Sequence, residues 1–312
     1  MKERAMSFAF LEATLAIAGA LAQVTTGALI QTVGYVGPAI LCVSLIFFAT
    51  LLVFFFMPET LQRPEKVILN PLVHLRKVFG FYILEGSLLR KSVFWCLLMA
   101  SVFVSFCQMG RMMVETLYML NAPLCWHSLK IGVYGGIRQV VTVVGGIVIL
   151  KVIQNYVSHV TVGLIAMASA AASFFLEAFA TTDWMMYLVP ILGIAFMCSY
   201  PIIKLLMSNL APSNKQGAVF SSMAVMDTIC HLTSSTMYNA IYTRTLKTFS
   251  GAVFLLVGGF CIISMLLLLL FRFLSNKLPS DDPPAEDPEH EETQKEKSQP
   301  FVQDINQEHS KL

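Results

Sequence analysis

The chain has 312 residues, of which 56% are hydrophobic and only 13% charged. A soluble globular protein carries about 25% charged residues, so that class is excluded. A net charge of +2 with no long basic stripe argues against a nucleic-acid partner. The apolar residues come in runs of roughly 20, the length that crosses a bilayer core. The composition therefore predicts an all-α, multi-pass membrane protein whose first partner is the lipid bilayer.

In chain order, eight spans are expected, at about 8–30, 38–57, 93–120, 131–150, 159–180, 184–207, 217–240 and 251–273. The first is read as a full span, not a cleaved signal, because no small-residue cleavage site accompanies it. With the N-terminus inside, fifteen of the 21 Lys and Arg residues fall in inner segments. They run from Lys2 and Arg4 to Lys311. Lys130, Arg244 and Lys247 alone fall outside, and Arg111, Arg138 and Lys204 lie within spans. That asymmetry places both termini in the cytosol. Residues 58–92 form a basic cytosolic loop with Pro58, Pro64 and Pro71 as breakers. Its middle, 73–84, reads either as linker or as a short amphipathic helix on the inner leaflet. Residues 274–312, with Asp281-Asp282-Pro283-Pro284 and a Glu/Lys/Gln-rich remainder, are too polar to bury a core and read as a disordered tail.

No phosphate-binding loop, Gly-x-Ser-x-Gly elbow or His-Glu-x-x-His pair occurs in the chain. An enzyme is not expected, nor a cofactor or a metal. Of the seven cysteines, Cys125 alone sits in an outer loop. An unpaired outer thiol has either lost its partner or stays free.

The polar groups inside spans are the functional candidates, since a charge in hydrocarbon is costly unless it pairs or faces a watered cavity. The stretch 200–246 holds three of them: Lys204 near the inner end of its span, and Asp227 and His231 one helical turn apart on one face. A polar turn, 211–217, separates the first from the other two. Glu12 is a protonatable carboxylate in the first span, or an acid paired with Arg4 or Lys204. Arg111 and Glu115 are i,i+4 neighbours, and Arg138 lies at similar depth. One arginine pairs with Glu115 and the other is left to meet an anion; the alternative is a purely structural ion pair. Gln139 is a neutral hydrogen-bonding neighbour. Glu177, near the outer interface, reads as structural. Pro190 and Pro201 are expected to kink the sixth span.

The run Leu117-Tyr118-Met119-Leu120-Asn121-Ala122-Pro123-Leu124-Cys125-Trp126, followed by Ile131-Gly132, resembles the outer-loop pattern of solute carrier family 46. Gln216-Gly217-Ala218-Val219-Phe220-Ser221 and Tyr238-Asn239-Ala240-Ile241-Tyr242 are similar to two further landmarks of that family. Leu11-Glu12-Ala13 with Ala18-Gly19 resembles the fifth helix of its folate-transporting branch. The likeness runs from about residue 4 to 272 and implies a major facilitator-type bundle of twelve helices in two halves, of which this chain resembles helices five to twelve. Residues 1–57 then correspond to the last two helices of the first half, 58–92 to the linker and 93–273 to the second half. The resemblance implies that Glu12 couples protons and that Cys125 pairs with a cysteine of an earlier outer loop. Lys204 stands where the folate branch has arginine, and Gln139 where it has a titratable histidine. Asp227 stands where members carry an acid or Asn, whereas His231 departs from the pattern.

The resulting expectation is a proton-coupled symporter of small organic anions working by alternating access at the plasma or an endolysosomal membrane. Glu12, Asp227 and His231 are its proton-coupling candidates. Arg111, Arg138, Gln139 and Lys204 are its substrate-binding candidates, with Glu115 as gate or ion pair. A homo-oligomer is an open option. The alternative is a truncated, non-transporting membrane protein acting as partner or scaffold. The charge asymmetry predicts that an epitope at 121–128 is reached from outside intact cells and one at 289–297 only after permeabilisation; surface labelling of the tail would reverse the orientation.

Overall fold

The structure is a computed structural model that describes residues 2–58, 88–109, 111–153, 156–210 and 216–277; for 2–13 and a few other helical positions it describes the backbone only. The predicted polar turn at 211–215 and most of the predicted linker and tail lie outside the described residues. Among the described residues the chain is helical, without strands. This is the outcome expected in lipid, where backbone polar groups must be satisfied within the segment.

The helices are α1 (Lys2–Val33), α2 (Val36–Phe56), α3 (Leu88–Met109), α4 (Arg111–Leu120), α5 (Ser128–Ile153), α6 (His159–Ala178), α7 (Asp183–Leu192), α8 (Ser199–Leu210), α9 (Gln216–Thr245) and α10 (Ala252–Ser275). Among the described residues, seven segments are long and apolar enough to cross a membrane. The remaining expected span, 217–240, is α9, whose 30 residues suffice in length. Its Ser, Thr, Asp and His residues make it less apolar than the rest. The third expected span is two helices, α3 and α4, and Gly110 between them lies outside the described residues.

The sixth expected span is also broken. After α7 the chain tightens into a 3-10 turn, Phe196–Cys198, before α8 begins. Pro190 supplies no N–H to the carbonyl of the preceding turn, which weakens the helix end. The neighbouring helix takes up part of the loss. The Ser173 hydroxyl donates to the Val189 carbonyl at 2.8 Å, and the Ser169 hydroxyl, one turn earlier on α6, donates to the Leu192 carbonyl. Pro201 does not kink the segment as expected. It lies in the first turn of α8, where a missing N–H costs no hydrogen bond.

The core centres on α10, which packs against α3 and α6. Small polar residues permit the α3–α10 approach: the Ser264 hydroxyl donates to the Ala100 carbonyl at 3.3 Å, and the buried Cys107 and Cys261 sulfurs lie 3.5 Å apart. Buried tyrosines tie helices end to end. Tyr118 donates to the Ala180 carbonyl at 2.7 Å and Tyr238 to the Phe106 carbonyl at 3.0 Å.

Helix α1 joins this core through α5. Their crossing point is a pair of glycines. A Cβ added at Gly27 would stand 2.6 Å from the Ser128 carbonyl oxygen, and one at Gly132 would stand 2.6 Å from that of Gln23. Both obstacles are backbone, so neither can swing aside. Helix α2 packs on α1 and exposes apolar side chains along its length, Pro38 being its one buried residue.

Replacing either crossing glycine by leucine should separate α1 from α5 and cost about 1–3 kcal/mol or more. Gly259→Ala should be neutral or mildly stabilising, because nothing lies within 4 Å of that position. Thermal unfolding of the purified protein in detergent compares the three; equal midpoints for all would remove the crossing from the account.

Candidate functional site

Two polar clusters lie inside the bundle. The first joins α4, α5 and α6. Arg111 and Glu115 stand one turn apart on α4, where the i,i+4 spacing brings the guanidinium Nε to 3.6 Å from Glu115 Oε2. From α6, Glu177 places Oε2 at 2.9 Å from Arg111 Nη2. From α5, Arg138 donates to the same Glu115 oxygen, and the Tyr134 hydroxyl donates to Glu115 Oε1 at 3.2 Å. The Phe174 ring lies under the Arg111 guanidinium, 4.6 Å from its centroid.

Glu177 is 0% exposed, Glu115 2% and Arg111 6%. These charges are tolerable in a low-dielectric interior because each faces an opposite one; an unpaired member would carry an uncompensated desolvation cost of several kcal/mol. The cluster corrects one sequence expectation: neither Arg111 nor Arg138 is left without a carboxylate. Glu177, at the end of α6, is a structural partner as expected, and the structure adds that it is fully buried and turned inward toward Arg111.

A cavity of about 240 Å³ opens beside the cluster. Gln23 of α1, Gln108 of α3, Arg111, Arg138, Gln139 and Thr142 supply its polar walls, and Pro190, Gly193, Phe196 and Met197 of the broken segment close one side. The Arg138 side chain is 20% exposed. The two arginines thus form cavity wall, whereas neither glutamate is among the lining residues. Such a wall suits a carboxylate or another oxyanion, which a planar guanidinium binds through paired N–H groups. Gln139 lines the same space, so three of the four substrate-binding candidates meet there.

The second cluster joins α3, α8 and α9. Asp227 is half-buried and accepts hydrogen bonds from the Ser105 hydroxyl at 2.5 Å and from the Tyr200 hydroxyl. Lys204, the fourth substrate-binding candidate, lies elsewhere than expected: its ammonium stacks over the Tyr200 ring, 4.2 Å from the centroid. A second cavity of about 370 Å³ includes Tyr200, with Gln108 and Met197 shared with the first. The two clusters therefore border adjoining spaces.

His231 is exposed, and among the described residues no ion pair or hydrogen bond joins it to Asp227. The shared stripe does not give the two side chains a shared environment: Asp227 is half-buried against Ser105 and Tyr200, whereas His231 stays exposed although its neighbour Cys230 is buried against α3. The side chain of Glu12 lies outside the described residues, although its backbone belongs to α1. Cys125 is exposed and carries a free thiol.

Sequence reasoning missed Ser105, Tyr134, Tyr200 and the inward role of Glu177. One signal for Glu177 was available. Two arginines inside spans require two buried carboxylates at that depth, and Glu115 is one.

The Asp227 cluster yields a comparison. Tyr200→Phe or Ser105→Ala removes one donor to a carboxylate and should cost about 1.5–3 kcal/mol. The double variant should cost less than the sum, because both donors serve one group. His231→Ala should change stability by no more than about 0.5 kcal/mol. Unfolding midpoints in detergent decide this, and a larger loss at His231 than at Tyr200 would invert the assignment.

The chain is 30% identical over 268 residues to the proton-coupled folate transporter of Rattus norvegicus, an alignment covering 85% of this chain and 58% of that protein. It is 25% identical over 267 residues to the lysosomal proton-coupled steroid conjugate and bile acid symporter of Mus musculus, covering 84% of this chain and 58% of the relative. The chain thus spans 58% of the length of these curated relatives. The resemblance to solute carrier family 46 is borne out by them. Residues 1–234 match the family model described as Major Facilitator Superfamily, and this multi-pass membrane protein belongs to that superfamily.

Proposed function

We propose that the chain serves proton-coupled transport of an organic anion by alternating access. The observation that carries this reading is the guanidinium-lined cavity where α1 meets the other helices. A watered space walled by Arg111 and Arg138, with Gln139 and Gln23 beside them, can exchange the hydration of a carboxylate for fixed donors. Residues 1–57 act as part of one half of a facilitator fold and 93–273 as the other, with 58–92 linking them and 274–312 trailing. Sites at the interface of two such halves, closed in turn on either side, are how secondary transporters move solutes. The tight α1–α5 crossing is a contact across that interface.

Proton coupling requires an acid that titrates during the cycle. Glu12 and Asp227 are the candidates in this reading, Asp227 through its Tyr200 and Ser105 donors; the exposed His231 is a weaker one. Lys204 acts near the inner end of α8 and not at the cavity wall. Folate-like and bile acid-like carboxylates are the substrate classes to test first, because the relatives are carriers of those solutes. The plasma and endolysosomal membranes are both suitable sites of action.

A second reading is favoured by the apolar surface of α2, which only α1 covers among the described elements. In that reading the chain does not transport but supplies helices to a partner membrane protein.

One experiment separates the two. Cells expressing the chain are given labelled folic acid and taurocholate at about pH 5.5 and about pH 7.4, the range in which coupled carriers respond. Accumulation that is faster at the acidic pH and abolished by a proton ionophore is expected of the carrier. Surface expression with no uptake at either pH, together with co-purification of another membrane protein, supports the second reading.

A further inference from the structure

We infer that Glu177 is the carboxylate that takes up the coupled proton, and that its protonation releases Arg111 to hold the anion in the cavity. This deepens the carrier reading and rests on it, and it assigns the proton to Glu177 in place of Glu12 and Asp227. The basis is charge balance within a closed set of groups. Arg111 and Arg138 stand against Glu115 and Glu177, so the empty site is neutral. An entering carboxylate would make three negative charges against two positive ones in a medium that screens them poorly. One proton delivered to a glutamate restores the balance.

The geometry selects which glutamate. Glu115 is held by Arg138, by the Tyr134 hydroxyl and by Arg111, and donors of this kind favour the ionised form. Glu177 faces Arg111 alone. Its oxygens accept no well-aligned hydrogen bond from any described residue, although Oε2 lies 2.9 Å from the guanidinium. Protonating Glu177 therefore sacrifices one ion pair, whereas protonating Glu115 disrupts three interactions.

The other groups around Glu177 do not replace it. From α4, the Tyr118 hydroxyl is committed to the Ala180 carbonyl. On α7, Asp183 is held at the rim by Trp126 and Lys130, and Tyr187 stacks on Trp126 and Tyr134. On α8, Lys204 is stacked on Tyr200. From α10, Cys261 faces Cys107, and Arg272 lies in the far, last turn.

The step is a simple proton transfer. A hydronium ion entering through the cavity gives its proton to a Glu177 oxygen and leaves as water, the ion pair with Arg111 opens, and the guanidinium turns its N–H groups to the substrate carboxylate. Loss of that proton on the other side of the membrane restores the pair and expels the anion.

The test uses the full chain in lipid nanodiscs and begins without ligand. Infrared difference spectra across a pH titration should show a protonated-carboxyl band that Glu177→Gln removes and Glu115→Gln keeps. Folic acid binding, followed by tryptophan fluorescence, should tighten as pH falls in the unsubstituted chain, by at most about tenfold per pH unit for a single linked proton. Glu177→Gln, which holds the site at the proton-loaded charge, should bind folic acid independently of pH. Should Glu177→Gln fail to accumulate, Glu177→Asp takes its place and should move the band to higher pH, because the shortened side chain draws back from Arg111. A band unchanged in the Glu177 variants, or an unaltered pH dependence of binding, would overturn the inference. Absence of folic acid and taurocholate binding at every pH, with the Glu177 band present, would count against the carrier reading and leave the protonation site standing.

Discussion

A guanidinium buried among apolar helices must have a carboxylate, and in this bundle that requirement joins three segments distant in sequence. Arg111 reaches back one turn to Glu115 and across to Glu177, while Arg138 meets Glu115 from a third helix. The helices α4, α5 and α6 thereby acquire a fixed rotation about their axes. Apolar packing alone would define this weakly, because lipid is as apolar as the helix faces. The same rotation makes the arginines cavity wall and leaves the glutamates behind them. Structural pairing and the proposed anion site are two consequences of one constraint.

The broken helix shapes the rest of that cavity. An unbroken helix through residues 183–210 would present a straight wall. Pro190 and the turn at Gly193–Cys198 instead bring Phe196 and Met197 against the arginines. A discontinuity at membrane depth exposes carbonyls, and irregular backbone is tolerated there only where protein or a watered cavity surrounds it. Here Ser169 and Ser173 provide hydroxyls from α6, and Ser173 also lines the cavity with Pro190 and Gly193. The break is thus supported by the helix that also carries Glu177.

The α1–α5 joint differs in kind. It is formed by backbone meeting backbone at Gly27 and Gly132, with Gln23 and Gln139 continuing the contact toward the cavity. An interface without interlocking large side chains offers little resistance to a change of crossing angle. That property suits the rocking of two halves proposed above, and the guanidinium wall lies immediately next to the joint. The Asp227 partner Tyr200 borders a second cavity that shares Gln108 and Met197 with the first, so the two polar centres flank adjoining spaces.

The order of the apolar segments and the membrane class followed from the sequence alone, because hydropathy and the length of an apolar run depend on local composition; that two of the segments are each split into two helices did not. The pairing of Arg111 with Glu115 was legible for the same reason: four residues separate them, and helical geometry does the rest. The identity of Glu177 as a buried counter-ion was not legible, since 66 positions of chain separate it from Arg111 and only the tertiary fold brings the two side chains together. His231 shows the reverse. Local periodicity placed it on the same stripe as Asp227, but whether a position on that stripe is covered depends on which faces the neighbouring helices pack against, and His231 is left exposed. The break after Gly193 was half legible, in that Pro190 marks a weak point, yet the hydroxyls that stabilise it belong to another helix. Sequence determines what each segment can bury; the tertiary structure decides which charges meet, because electrostatic pairing in lipid depends on distance in space and not along the chain.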